Sequence, residues 1–221
     1  MLYLIDESKS YCHSFRCALY RRHLMSEGVD LCSFAQNLSL YSNAVAVLLR
    51  PLTYSEAERE QLAALCLSQS IPLAFVGADA MALPKGVTVL SANEENLPHA
   101  LFSLLESLEE AGKCRILALQ YHGIRDDIRE KMTTLFGLPL LLTPTERMVL
   151  RYILYALPQG ATAEELMHFC LNPAKDCTPA NIPTHIRKIN CAFYPCFGCR
   201  IITYKAGAYR FMEDLPQPIV G

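Results

Sequence analysis

Residues 1–112 predict a doubly wound α/β domain built on a five-stranded parallel sheet, and residues 113–221 predict an α+β domain that ends in a helix-turn-helix and a hairpin. Three observations carry this reading. Short apolar runs alternate with amphipathic segments through the first half. The second half twice shows a capping-box signature ahead of an apolar-periodic segment. Its last part joins a basic helix to two short strands around a glycine-containing turn.

At 221 residues the chain suits two compact domains of about 110 residues each. With 52% of residues hydrophobic and 19% charged, each half can bury a core, which excludes a disordered composition. No apolar run reaches the roughly 18 residues a membrane span needs. The start, MLYLIDESKS, lacks a basic region and a cleavage site, so a cytoplasmic location without membrane association is expected. The ten cysteines are then expected to be reduced apolar fillers without disulfides.

In the first half, residues 2–5 form a short apolar run ending in Asp6 and Glu7, and Phe15, Leu19 and Leu24 follow at helical spacing. Residues 29–34 and 44–49 are expected as further strands, with Ala57, Leu62, Leu65 and Cys66 on one face of a helix over residues 54–70. Strands over 72–76 and 87–90 and a leucine-faced helix over 97–108 complete the set. A ligand site in such a sheet belongs at the carboxyl ends of the strands.

In the second half, residues 113–142 suit small antiparallel strands. Thr143, Pro144 and Glu146 then supply a cap, a first-turn proline and a third-position acid, opening a helix whose apolar face is Met148, Val149, Ile153 and Leu154. Thr162 and Glu165 open a second, shorter helix ahead of Leu166 and Phe169. A third helix buries Ile182, Ile186, Ile189 and Phe193 and turns Thr184, His185, Arg187 and Lys188 outward. Residues 200–204 and 209–211 form a hairpin around Lys205-Ala-Gly-Ala208.

Charge divides the chain. Residues 1–112 carry 7 Lys+Arg against 13 Asp+Glu, a balance of −6, and residues 113–221 carry 13 against 9, a balance of +4. Between Thr178 and Phe211 the bases Arg187, Lys188, Arg200, Lys205 and Arg210 meet no acid, which suits a polyanion. A solvated basic face is the alternative.

The first half is similar in order and length to response-regulator receiver domains. Such a domain needs an aspartate nucleophile after its third strand, acids after the first to hold Mg²⁺, and a lysine and a hydroxyl to complete the site. Asp6 and Glu7 stand in the acidic position, but AVAVLL runs into Arg50, whose guanidinium cannot attack phosphorus. Gly77 stands where Ser or Thr is expected, and Ser91-Ala92-Asn93-Glu94 offers no lysine. Unless the register is shifted, Asp6, Glu7, Arg50 and Gly77 form a degenerate phospho-acceptor site that does not run the aspartyl-phosphate switch. Arg50 either pairs with Asp6 or Glu7 in the space of the metal, or begins a polar loop before Pro51.

The second half, with TPTE opening a helix, THIRKIN on a later one and KAGAYRF on a hairpin, resembles the winged-helix effector domain of OmpR/PhoB-type response regulators over about 113–212. The resemblance implies a DNA-binding transcription regulator that dimerises through the last helix of its first domain on double-stranded DNA, with RNA polymerase as a candidate partner. It implies Arg187 as the base-reading residue, His185 and Lys188 as backbone contacts, Thr184 in either role, and Lys205 and Arg210 near phosphates. His185 as a half-buried packing residue is the alternative. Ala206 and Ala208 depart from the family, whose hairpin turn carries glycines there.

Cys196-Phe-Gly-Cys199, with Cys191, His168, Cys170 and Cys177 nearby, raises a zinc site or a thiol switch, but a single CxxC supplies only half a ligand set. No P-loop, GxSxG, HExxH or dinucleotide fingerprint occurs, so neither enzyme activity nor a cofactor is expected. The competing function is a protein-interaction or dimerisation module, in which the basic residues of the third helix are dispensable.

Overall fold

The computed structural model describes residues 1–41, 44–77, 83–90, 97–112, 118–172, 174 and 178–219. The chain divides into two compact units, Met1–Ile116 and Leu117–Gly221.

The first unit runs β1 (Leu2–Ile5), α1 (Lys9–Tyr20), β2 (Ser26–Val29), α2 (Leu31–Gln36), β3 (Ala46–Leu49), α3 (Glu56–Ser68), β4 (Leu73–Val76), β5 (Val87–Leu90) and α4 (Leu97–Glu110). All pairings are parallel in the order β2-β1-β3-β4-β5, so the winding direction reverses between β1 and β3. Strands β3 and β4 are buried at every position, as expected of central parallel strands covered on both faces. Phe34, Leu62 and Cys66 from the helices pack on Ile5, Val47, Leu49 and Phe75.

One element departs from expectation. The strand expected over residues 29–34 lies instead at Ser26–Val29, and Leu31–Gln36 is helical. Asp30 is the reason: its carboxylate accepts from the Ser33 amide at 2.8 Å and from the Ser33 hydroxyl at 2.6 Å, capping a helix that puts Phe34 into the core. The apolar run Val29, Leu31 and Phe34 fits either period, and the cap decides.

The second unit opens with an antiparallel meander, β6 (Ala118–Tyr121), β7 (Ile124–Asp127), β8 (Met132–Leu135) and β9 (Leu138–Leu140). Three helices follow, α5 (Pro144–Tyr155), α6 (Ala163–Cys170) and α7 (Ile182–Phe197), and then the hairpin of β10 (Ile202–Lys205) and β11 (Ala208–Phe211). Both capping boxes form, Thr143 with Glu146 and Thr162 with Glu165. Met148, Val149, Ile153 and Leu154 of α5 are buried, as are Ile182, Ile186, Ile189 and Phe193 of α7, and the two helices pack together. Gly198 ends α7 in the left-handed region at φ 65°. Ala161 exchanges backbone hydrogen bonds of 2.9 and 2.8 Å with Tyr209, tying the segment before α6 to the hairpin. Three helices closed by such a hairpin make a winged helix-turn-helix.

The core of this unit holds a charge cluster. Asp126 on β7 accepts from Arg147 Nε and Nη2 at 3.0 Å each, from Arg151 Nε at 2.6 Å and from the Thr133 hydroxyl at 2.6 Å. All four side chains are buried. The guanidiniums also donate to the Asp127 and Asp126 carbonyls at 2.8 Å, so the cluster pins α5 to the meander.

Candidate nucleic-acid interface and the carboxyl edge of the parallel sheet

Helix α7 presents two faces because its isoleucines recur at helical spacing. Thr184, Arg187 and Lys188 are exposed on the outer one, and His185 is half-buried. One polar residue interrupts the inner face. Asn190 is buried, donates to the Ile202 carbonyl at 2.9 Å and accepts from the Ile201 and Ile202 amides at 3.0 and 2.9 Å. It therefore clips the start of the hairpin to the helix and fixes the groove between them.

That groove has a volume of about 740 Å³ and is lined by Arg187, Cys191 and Tyr194 from the helix and by Arg200, Thr203 and Tyr204 from the hairpin side. Its described lining carries two arginines and no acid. Lys205 is exposed at the hairpin tip. Ala206 (φ 52°) and Gly207 (φ 81°) form a two-residue turn with both residues left-handed, the geometry that matches strand twist in a tight hairpin.

The remaining basic residues lie differently. Arg210 pairs in register with Thr203, is half-buried beside Gly160, and its Nε is buried without a hydrogen-bond partner among the described residues; it is not among the residues that line the Arg187–Arg200 groove. Lys188 Nζ lies 3.5 Å from Glu146 Oε1, and His185 Nδ1 lies 3.9 Å from the same oxygen. Glu146 is the capping-box acid of α5, its other oxygen accepting from the Thr143 amide at 2.8 Å. Burial raises its pKa, but the hydrogen bonds from Thr143 and the charge of Lys188 outweigh that and hold it below the ordinary value. His185 is lowered, by burial first, with Glu146 opposing and Lys188 adding to the fall.

Sequence reading did not name Asn190 or Glu146 as parts of this site. Asn190 had a signal, being a polar residue one turn after Ile186 on the apolar stripe. Glu146 had none beyond its role as a cap.

At the carboxyl edge of the parallel sheet, Arg50 follows β3 and Asp6 follows β1. Arg50 Nε lies 2.6 Å from Asp6 Oδ2, and Nη2 donates to Oδ1 at 3.1 Å, a two-point contact on a fully buried carboxylate. Oδ1 also accepts from the Ser8 amide at 2.7 Å, and the guanidinium sits 4.2 Å over the Tyr11 ring. Glu7 is exposed and takes no part in the pair. Gly77 follows β4 at φ 74°, a conformation that a β-branched residue avoids, and its amide donates to the Leu90 carbonyl at 3.0 Å. Residues 91–94 lie outside the described residues.

Of the sulfur constellation, Cys170 is fully buried with its thiol 3.5 Å from the Met148 carbonyl, and burial pushes its pKa well up, so it is a packing residue. Cys191 is exposed, Cys196 and Cys199 are half-buried, and Cys177 lies outside the described residues. Among the described residues no three His, Cys, Asp or Glu side chains are placed to hold a metal ion. Nor is any described helix long and apolar enough to cross a membrane.

No protein-family model and no curated protein matches the chain. Among solved structures it is similar to the DNA-binding domain of the response regulator AdeR in complex with an intercistronic region, at 23% identity over 44% of this chain and 100% of that one, TM-score 0.38. It is similar to the DNA-binding domain of CpxR from E. coli at 22% identity, covering 42% and 94%, TM-score 0.37. Over nearly its whole length it is similar to DrrB, a Thermotoga maritima OmpR/PhoB homolog, at 14% identity, covering 95% and 97%, TM-score 0.41. None of these scores reaches 0.5, and the fold class rests on the chain's own strand and helix order.

Proposed function

We propose that this chain is a sequence-specific DNA-binding transcription regulator of the response-regulator type whose first unit works without phosphorylation. The observation that carries the reading is the groove whose described lining includes Arg187 on α7 and Arg200 beside the hairpin and no acid. An exposed helix face of this kind enters a major groove, where an arginine reads guanine through paired donors, and the hairpin with Lys205 approaches the adjoining backbone. In this reading Arg187 is the base reader, Arg200 and Lys205 neutralise phosphates, and Thr184 supports either contact. Lys188 and His185 are drawn toward Glu146, and Arg210 supports the hairpin base. The first unit serves as the homodimerisation domain, and Arg50 in place of an acceptor removes the nucleophile for phosphoryl transfer.

The test is fluorescence anisotropy of the whole chain on mixed-sequence duplex DNA over a salt series, with an Arg187→Ala/Arg200→Ala variant alongside. Binding that weakens steeply with salt, with weaker affinity and a salt slope about one unit shallower in the variant for the lost Arg200 phosphate contact, supports the reading. Salt-independent binding, or an unchanged slope in the variant, overturns it in favour of a protein-interaction module.

A further inference from the structure

Two bases of α7 share one carboxylate of α5. Glu146 Oε2 is occupied by the Thr143 amide at 2.8 Å, while Lys188 Nζ stands 3.5 Å from Oε1 and His185 Nδ1 stands 3.9 Å from it. Oε1 and Nδ1 are both buried, and neither has a hydrogen-bond partner among the described residues. At 3.9 Å the two atoms are too far apart for a hydrogen bond. A proton on Nδ1 and a small closing shift would give both of them a charge-assisted one.

The two bases differ in what they can do. Lys188 carries its charge on an exposed, flexible stem, so its ammonium can leave Glu146 for another anion. His185 is half-buried and responds by gaining or losing a proton where it stands. Burial holds the imidazole below its ordinary pKa and Lys188 adds to the fall, while Glu146 opposes both. The helix α6, the turn at Pro179–Asn181 and β10 also pack on α7, and among the described residues none of them brings a charge to bear on the ring. Its protonation is therefore set by Glu146 and by where Lys188 points.

A DNA backbone laid along the exposed face of α7 offers Lys188 a second anion. Once the ammonium turns to a phosphate, Oε1 is a buried negative charge that has lost its cation, which is costly. The departing charge no longer keeps a proton off the imidazole, and the phosphates add a field that attracts one. All three effects favour the imidazolium.

We propose that DNA binding through α7 is coupled to uptake of one proton at His185, with Lys188 passing from Glu146 to a phosphate and the protonated imidazole replacing it beside the buried carboxylate. This rests on the DNA-binding reading of α7. Linkage fixes the sign: the complex holds the proton to a higher pH than the free chain does, so between the two pKa values affinity rises as pH falls. Folding stability moves the opposite way at this site, because in the free chain burial disfavours the imidazolium. Tighter binding in acid therefore cannot come from a firmer fold.

The test is fluorescence anisotropy of the whole chain on one mixed-sequence duplex at constant ionic strength across the histidine range, with calorimetry in PIPES and in Bis-Tris to count protons. Affinity about three- to tenfold tighter at about pH 5.5 than at about pH 7.5, with net proton uptake, is expected. Glu146→Gln keeps the capping box, because Gln also serves at that position, and removes the charge that draws the proton. His185→Gln removes the titrating ring. Each variant, shown to be folded by circular dichroism, is expected to bind with a flattened pH slope and no uptake, whereas Arg187→Ala is expected to weaken binding at every pH and keep the uptake. Wild-type binding that is indifferent to pH, or a slope that survives in either Gln variant, overturns the coupling and leaves DNA binding standing. An absence of salt-dependent binding at every pH overturns the functional reading and the coupling with it.

Discussion

Arg50 reaches from the end of β3 to Asp6 at the end of β1 and grips the buried carboxylate at two points, 2.6 and 3.1 Å. A fixed guanidinium thus fills the crevice of a doubly wound sheet. The pair is asymmetric, because Asp6 is fully buried whereas Arg50 keeps 31% of its side chain in solvent. Removing the arginine strands a buried charge, while removing the carboxylate leaves a cation that water can reach.

Arg50→Ala is therefore expected to destabilise the first unit by about 2 kcal/mol, less than for a fully buried pair because of that exposure. Asp6→Asn combined with Arg50→Ala is expected to recover part of the loss. Urea unfolding of the four corners of this cycle measures the coupling, and a coupling near zero refutes the structural role of the pair. Incubation with acetyl phosphate and Mg²⁺, followed by intact-mass analysis, is expected to leave no phosphoryl adduct.

In the second unit Asp126 is the sole carboxylate in contact with two buried guanidiniums, Arg147 and Arg151, among the described residues. Asp126→Asn is expected to cost about 3–5 kcal/mol, because it removes the buried negative charge that two buried guanidiniums share. Replacing Asp126, Arg147 and Arg151 together by Leu, Met and Leu is expected to cost far less. Thermal unfolding of the two variants decides between a pairing requirement and a size requirement.

Most of this architecture is legible in the residues because periodicity and caps act locally. Thr143-Pro144 with Glu146 starts a helix whatever surrounds it, and Ile182, Ile186, Ile189 and Phe193 can only face a core. The illegible parts are long-range. Asp126 lies in a polar stretch that reads as surface, and nothing local announces that it meets α5. Lys188 and His185 look solvent-facing on a helical wheel, yet each lies within 4 Å of an acid, 42 and 39 residues away respectively. Arg50 was legible as a missing nucleophile, but whether it would pair or face solvent depended on the register of β1 against β3.

Ala206 is the hairpin residue most at odds with its conformation. At φ 52° its Cβ crowds the following carbonyl, costing roughly 1–2 kcal/mol in an L-residue. Asn tolerates this region and precedes Gly in favoured turns of this type. Ala206→Asn is expected to stabilise the second unit by about 0.5–1 kcal/mol in urea unfolding without altering the Asn190 clip. A loss of stability refutes the left-handed turn.

His185 makes stability depend on pH. Folding lowers its pKa from the ordinary 6.5, because burial disfavours the imidazolium more than Glu146 favours it. Just below pH 6.5 the unfolded chain therefore binds more protons at this site than the folded chain does. The contribution is present above that pH and is lost as pH falls through 6.5 toward the folded value. Glu146, whose folded pKa lies below 4.5, acts with the same sign at lower pH, losing its contribution as pH falls through 4.5 toward its folded value. Chemical unfolding between pH 7 and pH 5 is expected to show stability falling with acid, and His185→Gln is expected to flatten the slope around pH 6. An unchanged slope in that variant places the titration elsewhere. A reversed slope in the wild-type chain means that Glu146 attracts the imidazolium more strongly than burial repels it.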